Sequence, residues 1–143
     1  LGVAGSENKT AERKSELMEL ARDLGVEQDV SLPGFAPNPY AYMAKASVFV
    51  LSSRYEGLPT VLVEAMACGC PVVSTACPGS VEILSDGKYG KLSAIGDAEE
   101  LARSIITTIE SEPDKLALRQ RSLDFSAERS VAHYERILAG TEL

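Results

Sequence analysis

Positive charge is in short supply in this chain: 14 Lys and Arg stand against 21 Asp and Glu over 143 residues, a formal charge of -7. A nucleic-acid binder neutralises phosphates with a basic face, and none is apparent, so DNA and RNA are set aside as main partners. Long hydrophobic runs are missing as well. Nothing approaches the roughly 18 apolar residues that span a bilayer, and the first nine residues have no signal-peptide pattern, which predicts a cytoplasmic protein. Cysteine is confined to Cys68, Cys70 and Cys77. An odd number in one short stretch is neither a disulfide framework nor two separated Cys-x2-Cys pairs, so three reduced, mostly buried residues are expected and no metal site. The single histidine, His133, falls in the predicted last helix and is given no catalytic role. Internal repeats and low-complexity segments are absent.

What is present is an alternation of short apolar runs and amphipathic stretches. Leu1-Gly-Val-Ala-Gly-Ser6 reads as the end of a buried strand, which suggests a piece of a longer chain. Leu17, Leu20, Ala21 and Leu24 recur at helical spacing before Gly25, predicting a helix over about 9–24. A short strand is expected over 29–32, before Pro33-Gly34-Phe35, and a helix after Asn38-Pro39 to about Lys45. Residues 47–52 and 71–75 are apolar or small without alternation, the pattern of strands covered on both faces. Between them Pro59 and Gly69 bound a helix over about 58–68. A short helix at 80–84 and a strand over 89–96 follow, and Asp97 is placed to cap the helix carrying Leu101, Ile105, Ile106 and Ile109. Two more helices are predicted, about 114–122 and 127–139. The whole predicts an α/β fold, a doubly wound, Rossmann-like parallel sheet with a helical tail from 97 to 143.

Chemistry concentrates where the strand ending at Ser52 turns into the next helix, because ligands of such sheets bind at the carboxyl ends of the strands. Gly57 permits close backbone approach. The free N–H groups of the helix start, near 58–61, suit a phosphate or pyrophosphate. Glu56 precedes this point and Glu64 follows it. Carboxylates are poor phosphate ligands but good acceptors for hydroxyl pairs, so a sugar on one side and a ribose on the other would satisfy both. The competing reading of Glu64 is an ion pair with an arginine at the edge of the core.

Glu56-Gly-Leu-Pro-Thr-Val-Leu-Val-Glu64-Ala-Met-Ala-Cys-Gly69-Cys-Pro71 resembles the Glu-x7-Glu signature of retaining glycosyltransferases of the GT-B fold, group 1 type. Val30–Gly34, Ala46–Ser52, Val81–Leu84, Asp86-Gly87, Tyr89-Gly90 and Gly96-Asp97 extend the similarity over nearly the whole chain, to the family's carboxyl-terminal, donor-binding domain. The resemblance implies one such domain over 1–143, with the amino-terminal acceptor domain and the first strand and loop of this domain lying outside it. It implies Glu56 at the donor sugar's hydroxyls as the catalytic residue, and Glu64 at the ribose. Gly57, Leu58, Pro59 and Thr60 would lie against the diphosphate, with Gly34 and Phe35 near the base. No metal or other cofactor is implied, since the substrate is itself a nucleotide diphosphate sugar. The family's phosphate-holding Arg and Lys precede this segment; Arg54 is the nearest candidate substitute, and its reading as a surface residue is the favoured one.

The expected function is therefore donor binding in a retaining transfer of sugar to an acceptor, in glycan, polysaccharide or glycolipid synthesis. Partners are the nucleotide-sugar donor and a glycan or lipid-linked acceptor held by the other domain. The isolated segment is expected to be inactive, and the intact protein to reside in the cytoplasm, with peripheral membrane association a property of some relatives. Alternatives are a nucleotide-sugar epimerase of the same fold and a non-catalytic nucleotide-binding or docking module.

Overall fold

The computed structural model describes residues 7–140, with side chains from residue 12. The chain forms two compact units, one ending at Pro39 and one beginning at Tyr40. The expected opening strand over 1–6 lies outside the described residues. In the first unit, α1 (Glu7–Asp23) closes at Gly25. Of its expected inner positions Ala21 is buried, whereas Leu17, Leu20 and Leu24 are exposed. The strand expected over 29–32 is not formed: no ladder among the described residues includes it, and the Asp29 N–H closes a turn on the Val26 carbonyl instead. A strand exists only through its ladder partner, and Pro33 removes a donor just beyond it.

The second unit opens with α2 (Tyr40–Met43) and continues β1 (Phe49–Leu51), α3 (Thr60–Ala67), β2 (Val72–Thr75), α4 (Pro78–Leu84) and β3 (Lys91–Ser93). The strands are parallel in the order β1-β2-β3, with Phe49 opposite Val72 and Val73 opposite Lys91. Every residue of β2 is buried, as in a strand covered on both faces. Helices α3 and α4 touch each other, and α5 (Ala98–Ile109) packs along β2 and β3. The core centres on Leu62, Met66, Val72, Ile83 and Leu84, all essentially inaccessible.

Local signals explain the boundaries. Gly69 at φ +72 ends α3, with its N–H on the Met66 carbonyl and the Cys70 N–H on that of Ala65, a Schellman closure that an L side chain resists. Asp97 caps α5 by accepting the Glu100 N–H at 2.8 Å. The last strand is shorter than the expected 89–96. Along α5, Leu101 and Ile105 are half-buried while Ile106 and Ile109 stay exposed. The tail is helical as expected: α6 (Lys115–Ser122), a 3-10 turn (Leu123–Phe125) and α7 (Ala127–Leu138).

Arg121 of α6 ties the tail to α4. Its guanidinium donates to the carbonyls of Glu82 at 2.7 Å and Ile83 at 3.0 Å, pairs with Asp124 at 3.0 Å, and lies over the rings of Phe125 and Tyr89. Asp124 is also met by Arg129. Arg121→Ala removes the guanidinium donor from two carbonyls of α4, leaving Glu82 only the Ser85 N–H at 3.2 Å, and halves the cationic cover of Asp124. We expect a loss of about 2 to 3 kcal/mol, read from urea denaturation, and a change within about 0.5 kcal/mol would show the cluster to be surface decoration.

Candidate functional site

The three parallel strands end at Leu51, Thr75 and Ser93, so the segments that follow them share one edge of the sheet. After β1 the chain makes the loop 52–59 and enters α3 at Thr60, slightly later than the expected start. Pro59 has no N–H, and the Thr60 N–H is occupied by the Leu58 carbonyl at 2.9 Å. The N–H groups of Gly57, Leu58 and Val61 have no acceptor among the described residues. Open donors at a helix start are where an anion binds.

The two carboxylates differ in setting. Glu56 is half-buried on the loop and accepts the Ser53 hydroxyl at 2.7 Å on Oε1. Glu64 sits four residues past Thr60, about 6 Å along the helix. Leu62, Ala65 and Met66 turn inward, whereas Thr60 and Ala67 are exposed, so Glu64 falls on the outer flank and is half-buried. Its carboxylate has no hydrogen-bond or ion-pair partner among the described residues, so the expected alternative, an ion pair with an arginine at the edge of the core, is not formed there. Its oxygens are open to a ligand.

The loop is anchored from below. Thr75 Oγ1 and Cys77 Sγ, both buried, donate to the Ser53 carbonyl, the latter at 3.2 Å. Gly79, in the first turn of α4, approaches so closely that a Cβ there would stand 2.1 Å from the Gly57 carbonyl oxygen. Its N–H faces the Glu56 carbonyl at 3.4 Å. At the same edge the Ser93 hydroxyl is buried without a partner among the described residues.

The remaining expected site residues are located as follows. Leu58 and Thr60 are exposed and Pro59 is buried. Gly34 and Phe35 belong to the first unit, Gly34 at φ +83 and Phe35 fully on the surface. Arg54 is exposed and makes no ion pair among the described residues. His133 lies in α7, its ring 6.4 Å from that of Tyr134. The cysteines are free, and burial, followed by the neighbouring Cys68, pushes the Cys70 thiol up. No group of three metal-ligating side chains occurs among the described residues, and no described helix is long and apolar enough to cross a membrane. A cleft of about 220 Å³ between Val72, Lys91, Thr108 and Leu118 opens at the amino ends of β2 and β3, the edge away from Glu56. Ser53 and Gly79 were not assigned from sequence, whereas Val61 lies within the helix start of 58–61 expected to face an anion.

These features define a class: a parallel α/β domain with open N–H groups at a helix start on its carboxyl edge and a carboxylate on either side of them. Residues 1–124 match the family model described as Glycosyl transferases group 1, and the chain belongs to that family. It is 34% identical over 110 residues to the N-acetylgalactosamine-N,N'-diacetylbacillosaminyl-diphospho-undecaprenol 4-alpha-N-acetylgalactosaminyltransferase of Campylobacter jejuni, covering 76% of this chain and 30% of that protein. With the lipopolysaccharide core biosynthesis glycosyltransferase LpsE of Rhizobium meliloti the identity is 35% over 133 residues, 90% of this chain and 39% of the relative. The crystal structure of Anabaena HepE in complex with UDP matches with TM-score 0.74 and 29% identity over 92% of this chain and 36% of its own. The chain thus spans well under half the length of each. The expected α/β fold of GT-B type is the one observed, and the relatives do not favour the epimerase or docking-module alternatives.

Proposed function

We propose that this chain is the donor-binding domain of a retaining glycosyltransferase that moves a sugar from a nucleoside diphosphate to an acceptor in glycan, polysaccharide or glycolipid synthesis. The observation that carries the reading is the group of open N–H donors at Gly57, Leu58 and Val61, set between a held carboxylate, Glu56, and a partnerless one, Glu64. Preorganised N–H groups aimed at the diphosphate would stabilise the charge that develops as the nucleotide leaves. Glu64 would accept the ribose hydroxyls and Glu56 those of the sugar. Leu58, Pro59 and Thr60 would wall the diphosphate. The reading assigns no cofactor. The UDP held by HepE and the diphospho-undecaprenol in the name of the Campylobacter relative support a nucleotide donor and a lipid-linked or glycan acceptor. The acceptor would be held outside this chain, which alone would not turn over, and the intact enzyme would work in the cytoplasm, at the membrane face where its acceptor is lipid-linked.

Titration of the 15N-labelled chain with UDP, GDP and ADP, and with their sugars, tests this. Saturable shifts are expected at the amides of Gly57, Leu58, Val61 and Glu64. If no nucleotide moves the amides between 56 and 64, the site is elsewhere.

A further inference from the structure

Ser53 stands between the core and the carboxylate of Glu56. Its carbonyl oxygen is fixed from the sheet side by two buried donors, Thr75 Oγ1 at the end of β2 and Cys77 Sγ just before α4. Its hydroxyl, on the other side, donates to Glu56 Oε1 at 2.7 Å. The backbone of Glu56 is restrained separately, by the Gly79 N–H that faces its carbonyl and by the contact of Gly79 on Gly57. What those backbone contacts cannot do is choose among the rotamers of a glutamate with two free sp³ torsions. The Ser53 hydroxyl can, because a charge-assisted O–H···O⁻ bond is short and directional. It occupies Oε1 and leaves Oε2 without a partner among the described residues.

We infer that Ser53 is the positioning residue for Glu56: anchored by Thr75 and Cys77, it holds the carboxylate in one orientation with Oε2 free to accept a hydroxyl of the donor sugar. The inference rests on the proposed role of Glu56 at the sugar. It has a consequence that mere stapling of the loop lacks. Removing the Ser53 hydroxyl would affect recognition of the sugar and leave recognition of the nucleotide alone, because the N–H groups and Glu64 do not depend on it.

The test is calorimetric titration of the 143-residue chain with UDP, UDP-glucose, UDP-galactose and UDP-N-acetylglucosamine, for the parent, Ser53→Ala, Ser53→Thr, Glu56→Gln and the double variant Ser53→Ala/Glu56→Gln. Ser53→Ala should leave UDP affinity within about twofold and weaken the preferred UDP-sugar about tenfold, with Ser53→Thr restoring it. In the Glu56→Gln background, where the amide oxygen still accepts the Ser53 hydroxyl but without charge assistance, Ser53→Ala should add less than about twofold. Equal weakening of UDP and UDP-sugar, or the same loss in both backgrounds, would overturn the inference and leave Ser53 a structural residue. If Glu56→Gln itself leaves every UDP-sugar unaffected, the role of Glu56 fails and the positioning role falls with it, a pattern distinct from the other two. A ligand-independent measurement accompanies these: the Glu56 13Cδ resonance should move in Ser53→Ala and return in Ser53→Thr. An unmoved resonance also overturns the inference.

Discussion

Replacing Gly79 by alanine is expected to cost more than about 3 kcal/mol and to displace the Glu56 loop. The added Cβ would stand 2.1 Å from the Gly57 carbonyl oxygen, 2.7 Å from its carbon and 2.8 Å from Pro59 Cδ. None of these is the far end of a flexible side chain. Relief therefore requires the first turn of α4 to open or the loop at Gly57 to move away. Either way the open N–H groups at the start of α3 lose their arrangement, so nucleotide affinity should fall together with stability. Gly57 provides a contrast, since a Cβ there meets nothing within 4 Å. A urea midpoint for Gly79→Ala equal to that of the parent would show that the two segments are not in firm contact.

The second large effect has opposite signs for folding and binding. Glu64→Leu should lower affinity for a nucleoside diphosphate by about 10- to 100-fold, the weight of hydrogen bonds from ribose hydroxyls to a charged acceptor. The fold should lose nothing and gain up to about 0.5 kcal/mol, because Leu and Glu have similar helix propensities and the half-buried flank accepts more apolar surface. The basis is that Glu64 has no ion pair to lose among the described residues. A glutamate placed there for structure would show the reverse, with destabilisation and unchanged binding. Titration with UDP beside denaturant melts separates the two.

The central β-α-β run was legible in the sequence because its signals are local. Two unbroken apolar runs, a proline at one helix end and a glycine at the other leave few alternatives for 47–75, and β1, α3 and β2 fall within it. Segment 29–32 was misread because β-branched and leucine residues mark a fit to a sheet surface, not the presence of a partner strand. The carboxylates were legible as a pair, but the outward, half-buried setting of Glu64 was not. Thr60 and Ala67 are exposed, so the helix has an outer face that the composition of 61–68 conceals. The supports of the loop were not legible at all. Thr75, Cys77 and Gly79 meet Ser53, Glu56 and Gly57 across more than 20 positions of sequence, and that pairing depends on the register of β1 on β2.

That register also makes the site portable. The hydrogen bonds from Ser53 to Glu56, from Thr75 and Cys77 to Ser53, and from Gly79 to Glu56 each have both ends between Phe49 and Leu84. A chimera exchanging β1 through α4 with a relative would transfer carboxylates, open N–H groups and loop supports as one cassette, without cutting these bonds. The guanidinium of Arg121 reaches in only as far as the carbonyls of Glu82 and Ile83, groups that any sequence presents at the end of that helix. The natural joint of such an exchange is therefore the turn that follows Leu84.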